Sequence, residues 1–274
     1  MNRFVVLNTM SITTNIRDGE HLRFKVGTSG FMTSQKKWLA CRSLNCIELN
    51  SSFYRIPSDR VISNLCKLPK HVKVIVKVSK FITHNKRLKD VEEPWQRFWD
   101  QIRKLEDKLE CLLFQLPPTF AKNEANIVRI VQMKGFLPDV NTAFEFRNSS
   151  WLNSGTYGLF SELRWCIVGT YIDKRSDTRW VGDMPSGLYI PPKTCNYNYL
   201  RIHGKKGWKG ELSDTTLQKI KKDIVKQRVR HSYIMFNNTF FNIRKSKKTV
   251  NNTDIEYAAV YDATIFAGHT LQMN

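Results

Sequence analysis

The chain has 274 residues, 41% of them hydrophobic and 25% charged, which is ample for one large core and suits a soluble globular protein. No apolar run approaches the roughly 18 residues of a membrane span, and the apolar stretch in the opening MNRFVVLNTMSITTN is too short for an export signal. Lys plus Arg total 44 against 24 acids, a net charge of +20, which makes polyanions such as nucleic acid candidate partners, although the basic residues are scattered as they are on ordinary solvated faces.

In chain order, residues 1–22 read as a mobile tail and 23–270 as one domain, with no composition break or linker inside it. Apolar, β-branched runs predict strands at 24–28, 44–50, 72–79, 111–117, 141–147, 164–172, 197–203 and 231–238. Between them, helices are expected at 59–67, 94–109, 122–134, 150–163 and 213–229. The second of these, 94–109, carries Pro94 in the first turn and Trp95, Phe98, Trp99, Ile102 and Leu105 at helical spacing. Ser213 or Asp214 is the expected N-cap of the last. Residues 173–196 predict a loop with a short helix at most, and 242–253 an exposed basic loop.

Eight strands alternating with helices predict an α/β fold, a single (β/α)8 TIM-type barrel, whose size is typically about 250 residues. An open doubly wound sheet is the alternative, but its edge strands should be more polar. The cysteines at 41, 46, 66, 111, 166 and 195 form no CxxC pair and have no His cluster nearby, so no zinc site is read from them. Reduced thiols in a cytoplasmic compartment are expected.

Alternation along the strands divides each into two faces. One face is uniformly apolar, as in Val74, Val76 and Val78, or Phe144 and Phe146. The other is mixed: Glu48 and Asn50; Lys77 and Ser79; Gln115; Glu145 and Arg147; Arg201 and His203; Asn237. In a barrel the mixed face looks inward, with its polar members at the C-terminal strand ends where such folds keep their active sites. Gly27 shares a layer with Lys77, Glu145 and Arg201 and is expected to leave a gap able to admit a ligand.

The stretches KVGTSGF (25–31), IELNSSFYRIPS (47–58), VKVSKFITHNKRLKD (76–90), LLFQLPPTF (112–120), AFEFRNSSW (143–151), YLRIHG (199–204) and FNN (236–238) resemble the YecE-like proteins, domain of unknown function 72. The resemblance runs in order over about residues 24–239. It implies a TIM-type barrel and supplies no reaction. The chain departs from the pattern after Gly30, where an aromatic insertion is lacking, and after Asn238, where a Lys-rich stretch replaces small residues.

Two readings of function follow. In the first, an enzyme of hydrolase or lyase type acts on a small anionic or phosphorylated substrate. Glu145 serves as general acid or base and His203 as a second proton-transfer group. Lys77, Arg147 and Arg201 are electrostatic anchors, Gln115 and Asn237 orienting donors, and Asn50, Ser79 and His84 further binding groups. Counting His203, cations outnumber acids there, which favours an anionic guest. Glu48 and Glu145 also invite a glycosidase reading, but they sit three strands apart, where strand spacing makes a separation of roughly 10 Å plausible, slightly beyond even the inverting range. With His203 they lack the close spacing of a metal site, and no cofactor or oligomeric state is read from the sequence. In the second reading, HGKKGWKG (203–210), KIKKDIVKQRVR (219–230) and RKSKK (244–248) contact nucleic-acid phosphates, with Trp208 stacking on a base. A nuclease would unite the two.

Overall fold

All eight apolar runs become strands, since residues branched at Cβ and aromatic residues suit a pleated surface buried on both faces. The computed structural model describes residues 13–15, 21–173, 181–204, 210–227, 229, 231–238, 248–250, 253–255 and 257–268. The strands are β1 Thr13–Asn15, β2 His21–Ser29, β3 Cys46–Leu49, β4 Lys73–Lys77, β5 Leu109–Gln115, β6 Thr142–Glu145, β7 Cys166–Ile167, β8 Gly169–Ile172, β9 Gly187–Tyr189, β10 Tyr197–Ile202 and β11 His231–Phe236. From β2 to β7 they pair parallel in sequence order. On the other side of β2 lie β11, β10 and β8, again parallel. Two antiparallel additions were not foreseen: β9 on β8, within the segment expected to be a loop, and β1 on β2.

The product is a curled, mostly parallel α/β sheet with helices packed on its outer face. β7 lies against β6 and β8 against β10, so a single stretch, broken only at Val168, carries both marginal pairings. The Val168 N–H donates to the Phe144 carbonyl at 2.9 Å. The connection from β8 to β10 departs from a strict strand–helix repeat, because it contains β9. Residues 174–180 of that connection lie outside the described residues.

Helices occupy Asp59–Cys66, Glu92–Ile102, Glu124–Gln132, Ser154–Leu163 and Asp214–Lys226, close to the expected spans. Asn123, Asn153 and Ser213 cap three of them, each side chain accepting the N–H three residues on. The helix begun at Glu92 ends at Ile102 and passes into a tighter turn, where Glu106 at φ 50° redirects the chain into β5. Two further helices, Gln35–Ala40 and Ala258–Gly268, complete the outer layer. No described helix is long and apolar enough to cross a membrane.

The expected tail is corrected where it is described. Residues 13–15 pair with 21–23, because a strand edge there offers them hydrogen-bond partners. Residues 1–12 and 16–20 lie outside the described residues. The expected basic loop at 242–253 is corrected in the same way: β12 Lys248–Val250 and β13 Thr253–Ile255 form an antiparallel pair.

The two faces of the sheet bury different material. Outside, Val26, Ile47, Val74, Phe114, Phe144, Leu200 and Phe236 meet Trp38, Ile62, Trp95, Phe98, Phe160 and Phe266 from the helices. Inside, Cys46, Ile75, Leu113, Ala143, Tyr199 and Met235 form a separate apolar cluster. Each of these lies two residues before an inward polar residue: Glu48, Lys77, Gln115, Glu145, Arg201 and Asn237 respectively. The period of two therefore places an apolar floor beneath a polar layer.

Gly27 leaves no gap. A Cβ there would come within 1.6 Å of the Cys46 carbonyl oxygen, so the space beside it is filled by the backbone of β3. The glycine permits close strand approach. Gly27→Ala is expected to cost at least about 3 kcal/mol, since backbone must move to admit the methyl. The check is a fall in the urea midpoint or a loss of soluble folded protein.

Candidate functional site

Arg201, near the end of β10, is the hub of the polar layer. Its Nε and Nη2 donate to Glu48 on β3, at 3.0 Å to Oε2 and 2.7 Å to Oε1. Its Nη1 donates to Glu145 Oε2 on β6 at 2.6 Å and more distantly, at 3.4 Å, to Gln115 Oε1 on β5. This is the planar two-pronged recognition of carboxylate that a guanidinium allows and an ammonium does not. Ser29 and Tyr199 complete the shell of Glu48. Ser29 Oγ donates to Oε1 at 2.8 Å, and the Tyr199 hydroxyl donates to Oε2.

Arg147 and His203 stand above. Arg147 Nη2 pairs with Glu145 Oε1 and lies 3.3 Å from His203 Nε2. His203 Nε2 is 3.6 Å from the same carboxylate, and its Nδ1 is 3.4 Å from Asn237 Nδ2. Glu48, Glu145, Arg147, Arg201 and His203 are all buried.

Lys77 sits at the edge of this group and is 9% exposed. Its Nζ donates to Gln115 Oε1 at 2.8 Å and lies 4.1 Å from the centroid of the Phe53 ring. Phe53 also meets the rings of Tyr54 and His84 edge-on, with centroids 5.1 and 4.9 Å away. A rim of half-buried polar groups surrounds the layer: Asn50, Ser79, His84, Gln115 and Asn237. Ser79 Oγ accepts the Phe81 N–H at 3.2 Å, and His84 Nδ1 is 2.9 Å from Thr83 Oγ1. Tyr54 is 79% exposed beside this rim.

The electrostatics depart from a simple excess of cations. Burial opposes the charge on Glu145, but Arg147 and Arg201 outweigh it and hold the carboxyl well below its ordinary value. Burial would likewise pull Arg201 down, but Glu145 and Glu48 hold it above its usual value. Burial, reinforced by Arg147, pushes His203 down to about 3. His203 is therefore neutral at pH 7, and two carboxylates face two guanidiniums. Among the described residues, the one remaining cation of the layer is Lys77, which burial and Arg201 push down to about 7. His84 is pushed down to about 4 by burial and by Lys77 and Lys80. Tyr199 is raised well above its ordinary value by burial and by Glu48.

The expected separation of Glu48 and Glu145 is also corrected. Both carboxylates grip one guanidinium, which occupies the space a sugar and a water would need. Among the described residues, no group of three or more His, Cys, Asp or Glu is placed to hold a metal ion.

Comparison with known proteins agrees with this frame. Residues 31–254 match the family described as "Protein of unknown function DUF72". The chain belongs to the DUF72 family. It is 29% identical over 185 residues to the UPF0759 protein YunF of Bacillus subtilis strain 168, a match covering 64% of this chain and 65% of that protein's length. A DUF72 family protein from Thermotoga maritima MSB8 superposes with a TM-score of 0.68 and 25% identity, over 89% of this chain and 97% of that one. One from Enterococcus faecalis V583 superposes with a TM-score of 0.69 and 19% identity, over 90% and 97%.

The strand-end residues singled out by alternation along the strands converge in space. Three partners of the layer were not assigned to it from sequence. Tyr199 precedes Arg201 by two residues on the same strand face. Phe53 follows β3 and underlies Lys77. Ser52 anchors the Phe53 turn, its Oγ donating to the Lys77 carbonyl at 2.6 Å.

The basic surface of this DUF72 chain is smaller than its total charge suggests. Lys108 and Lys221 are buried, with Nζ donating to Leu68 and Phe266 carbonyls at 2.8 and 3.1 Å. Lys219, Lys222 and Lys226 of the expected nucleic-acid helix are exposed. Residues 205–209, 228, 230 and 239–247, which hold Trp208 and most of RKSKK, lie outside the described residues.

Proposed function

We propose that this DUF72 protein is an enzyme, of hydrolase or lyase type, that takes a small anionic substrate at the C-terminal strand ends of a complete eight-stranded (β/α)8 barrel. Barrel closure is supported by the double pairing of the stretch 166–172. One observation carries the function: two buried carboxylates and two buried guanidiniums lie directly beneath a half-buried polar rim. Burying such ions costs several kcal/mol each, and apolar side chains of like volume would stabilise the fold as well or better. Charged groups assembled so expensively at the active-site end of this architecture point to chemistry. In this reading Glu145 is the proton-transfer group, with His203 as neutral partner; Glu48 fixes Arg201; and Lys77, Gln115 and Asn237 face the substrate.

The test is a thermal-shift survey with inorganic phosphate and with phosphorylated and carboxylated small molecules. A ligand at one hundred times its Kd adds about 2.7 kcal/mol, a rise of roughly 5–10 °C in a chain of this size. The rise is expected to disappear in Gln115→Ala and Asn237→Ala. If no compound shifts the protein, while duplex DNA or RNA binds with a steep salt dependence that these variants leave intact, the function belongs to the basic surface instead.

A further inference from the structure

Lys77 differs from the other cations of the layer. Arg147 and Arg201 are committed to carboxylates. Among the described residues, the Lys77 amine has one side-chain acceptor, Gln115 Oε1 at 2.8 Å, and the face of Phe53 at 4.1 Å. It also lies at the rim, where the burial of the layer first gives way to solvent. We propose that Lys77 is a nucleophile that captures the carbonyl carbon of a small anionic aldehyde or keto acid as an imine, an assignment resting on the enzymatic reading above.

An amine is a nucleophile only when neutral, and lysines are activated by desolvation and by neighbouring cations. Both influences are present. Burial and Arg201 lower the ammonium to about 7, with Arg147 acting in the same sense, while Glu48 and Glu145 act against them. His84, across the Phe53 ring and itself neutral at pH 7, adds no charge. About half of Lys77 is therefore the free amine at neutral pH.

In the step itself, the nitrogen lone pair forms a bond to the carbonyl carbon, and the carbonyl oxygen takes a proton to give a carbinolamine. That proton is balanced by the one the amine gives up, and the hydroxyl takes a second proton from solvent water at the rim and leaves as water, generating a protonated imine. That imine is a fixed cation at the position of the amine. A carboxylate or phosphate on the substrate lies next to it and supplies the opposing charge. Gln115, no longer accepting from a free amine, is placed beside the new bond.

The experiment incubates the full chain at pH 7 with glyoxylate and cyanoborohydride, then maps reductively trapped lysines by peptide mass spectrometry. Lys77 is expected to be modified at least tenfold faster than the exposed Lys36, Lys70 and Lys222, with a rate that rises through a midpoint near pH 7. Lys77→Arg removes that adduct and leaves the others. Modification of Lys77 no faster than the exposed lysines, in protein shown to be folded by its melting transition, overturns the proposal. A parallel arm uses uncharged acetaldehyde. If Lys77 reacts selectively and equally with both aldehydes, the nucleophile stands and the preference for anionic substrates falls. If the thermal-shift survey finds an anion at the rim but Lys77 is not selectively trapped, the enzymatic reading survives and the imine does not.

Discussion

Arg201→Met is expected to reduce the free energy of unfolding by about 3–5 kcal/mol, the cost of stranding buried charge when one partner of an ion pair is removed. Urea unfolding followed by tryptophan fluorescence measures it. The cause is specific. Both Glu48 and Glu145 are fully buried and both lean on the same guanidinium. Tyr199 and Ser29 still serve Glu48 in the variant, and Arg147 still serves Glu145, which keeps the loss within that range. Arg201→Lys is expected to recover only part of it, because an ammonium cannot present two parallel donors to Glu48 while reaching Glu145. A change of less than about 1 kcal/mol in Arg201→Met would show that water enters the layer freely, and the economy argument for a functional site would fall with it.

The second large effect is a stability that climbs with pH over most of the accessible range. The folded protein holds His203 at about 3 against an ordinary 6.5. Between those values the unfolded chain binds the proton and the folded one does not, so stability falls as pH drops through that window. For so buried a group the loss is on the order of a few kcal/mol by pH 3. His84 acts in the same sense between 6.5 and about 4. Glu145, held well below its ordinary 4.5, loses its contribution below that value. Lys77 governs the other limb. Its folded value is about 7 against 10.5, so the unfolded chain binds more protons between them and stability rises with pH there too. Urea midpoints are therefore expected to increase from pH 4 to pH 9, in contrast to a protein with its optimum near neutrality. His203→Gln should reduce the slope of the acid limb, where His84 and Glu145 remain, and Lys77→Met that of the alkaline one, where Lys221, pushed down to about 8 by burial, acts in the same sense. A midpoint that peaks at pH 6 and declines by pH 9 would contradict the environment assigned to Lys77.

Much of this architecture is written locally and some of it is not. Alternation along 72–79, 141–147 and 197–203 shows which side chains share a face, because the pleat has a period of two whatever the neighbours are. What alternation cannot give is distance across the sheet. Counting strands sets Glu48 and Glu145 about 10 Å apart, yet the curl of the sheet lets Arg201 pair with both. The charge count misled for the same reason. Lys77, Lys108, Lys221, Arg147 and Arg201 all turn inward, and nothing in the sequence around Lys108 or Lys221 distinguishes them from solvated lysines. Gly27 read as a gap because its neighbour across β3 is set by register, and register is a tertiary fact. Two helices escaped notice for opposite reasons. Gln35–Ala40 is too short to show a period, and Ala258–Gly268 is apolar almost all round, so it carries no stripe.

The wiring of Arg201 also has a bearing on how the chain is assembled. Its partners Glu48, Gln115 and Glu145 precede it by 153, 86 and 56 residues, so the neutralising group is synthesised after all three of them. A nascent chain ending before β10 carries two acids destined for a dry interior, with Ser29 already made to donate to Glu48 but neither Tyr199 nor the guanidinium of Arg201 yet present. Such long-range contacts place the entropic cost of closure ahead of its reward. Packing of the polar ends of β3, β5 and β6 is thus expected to be completed only once β10 has been made.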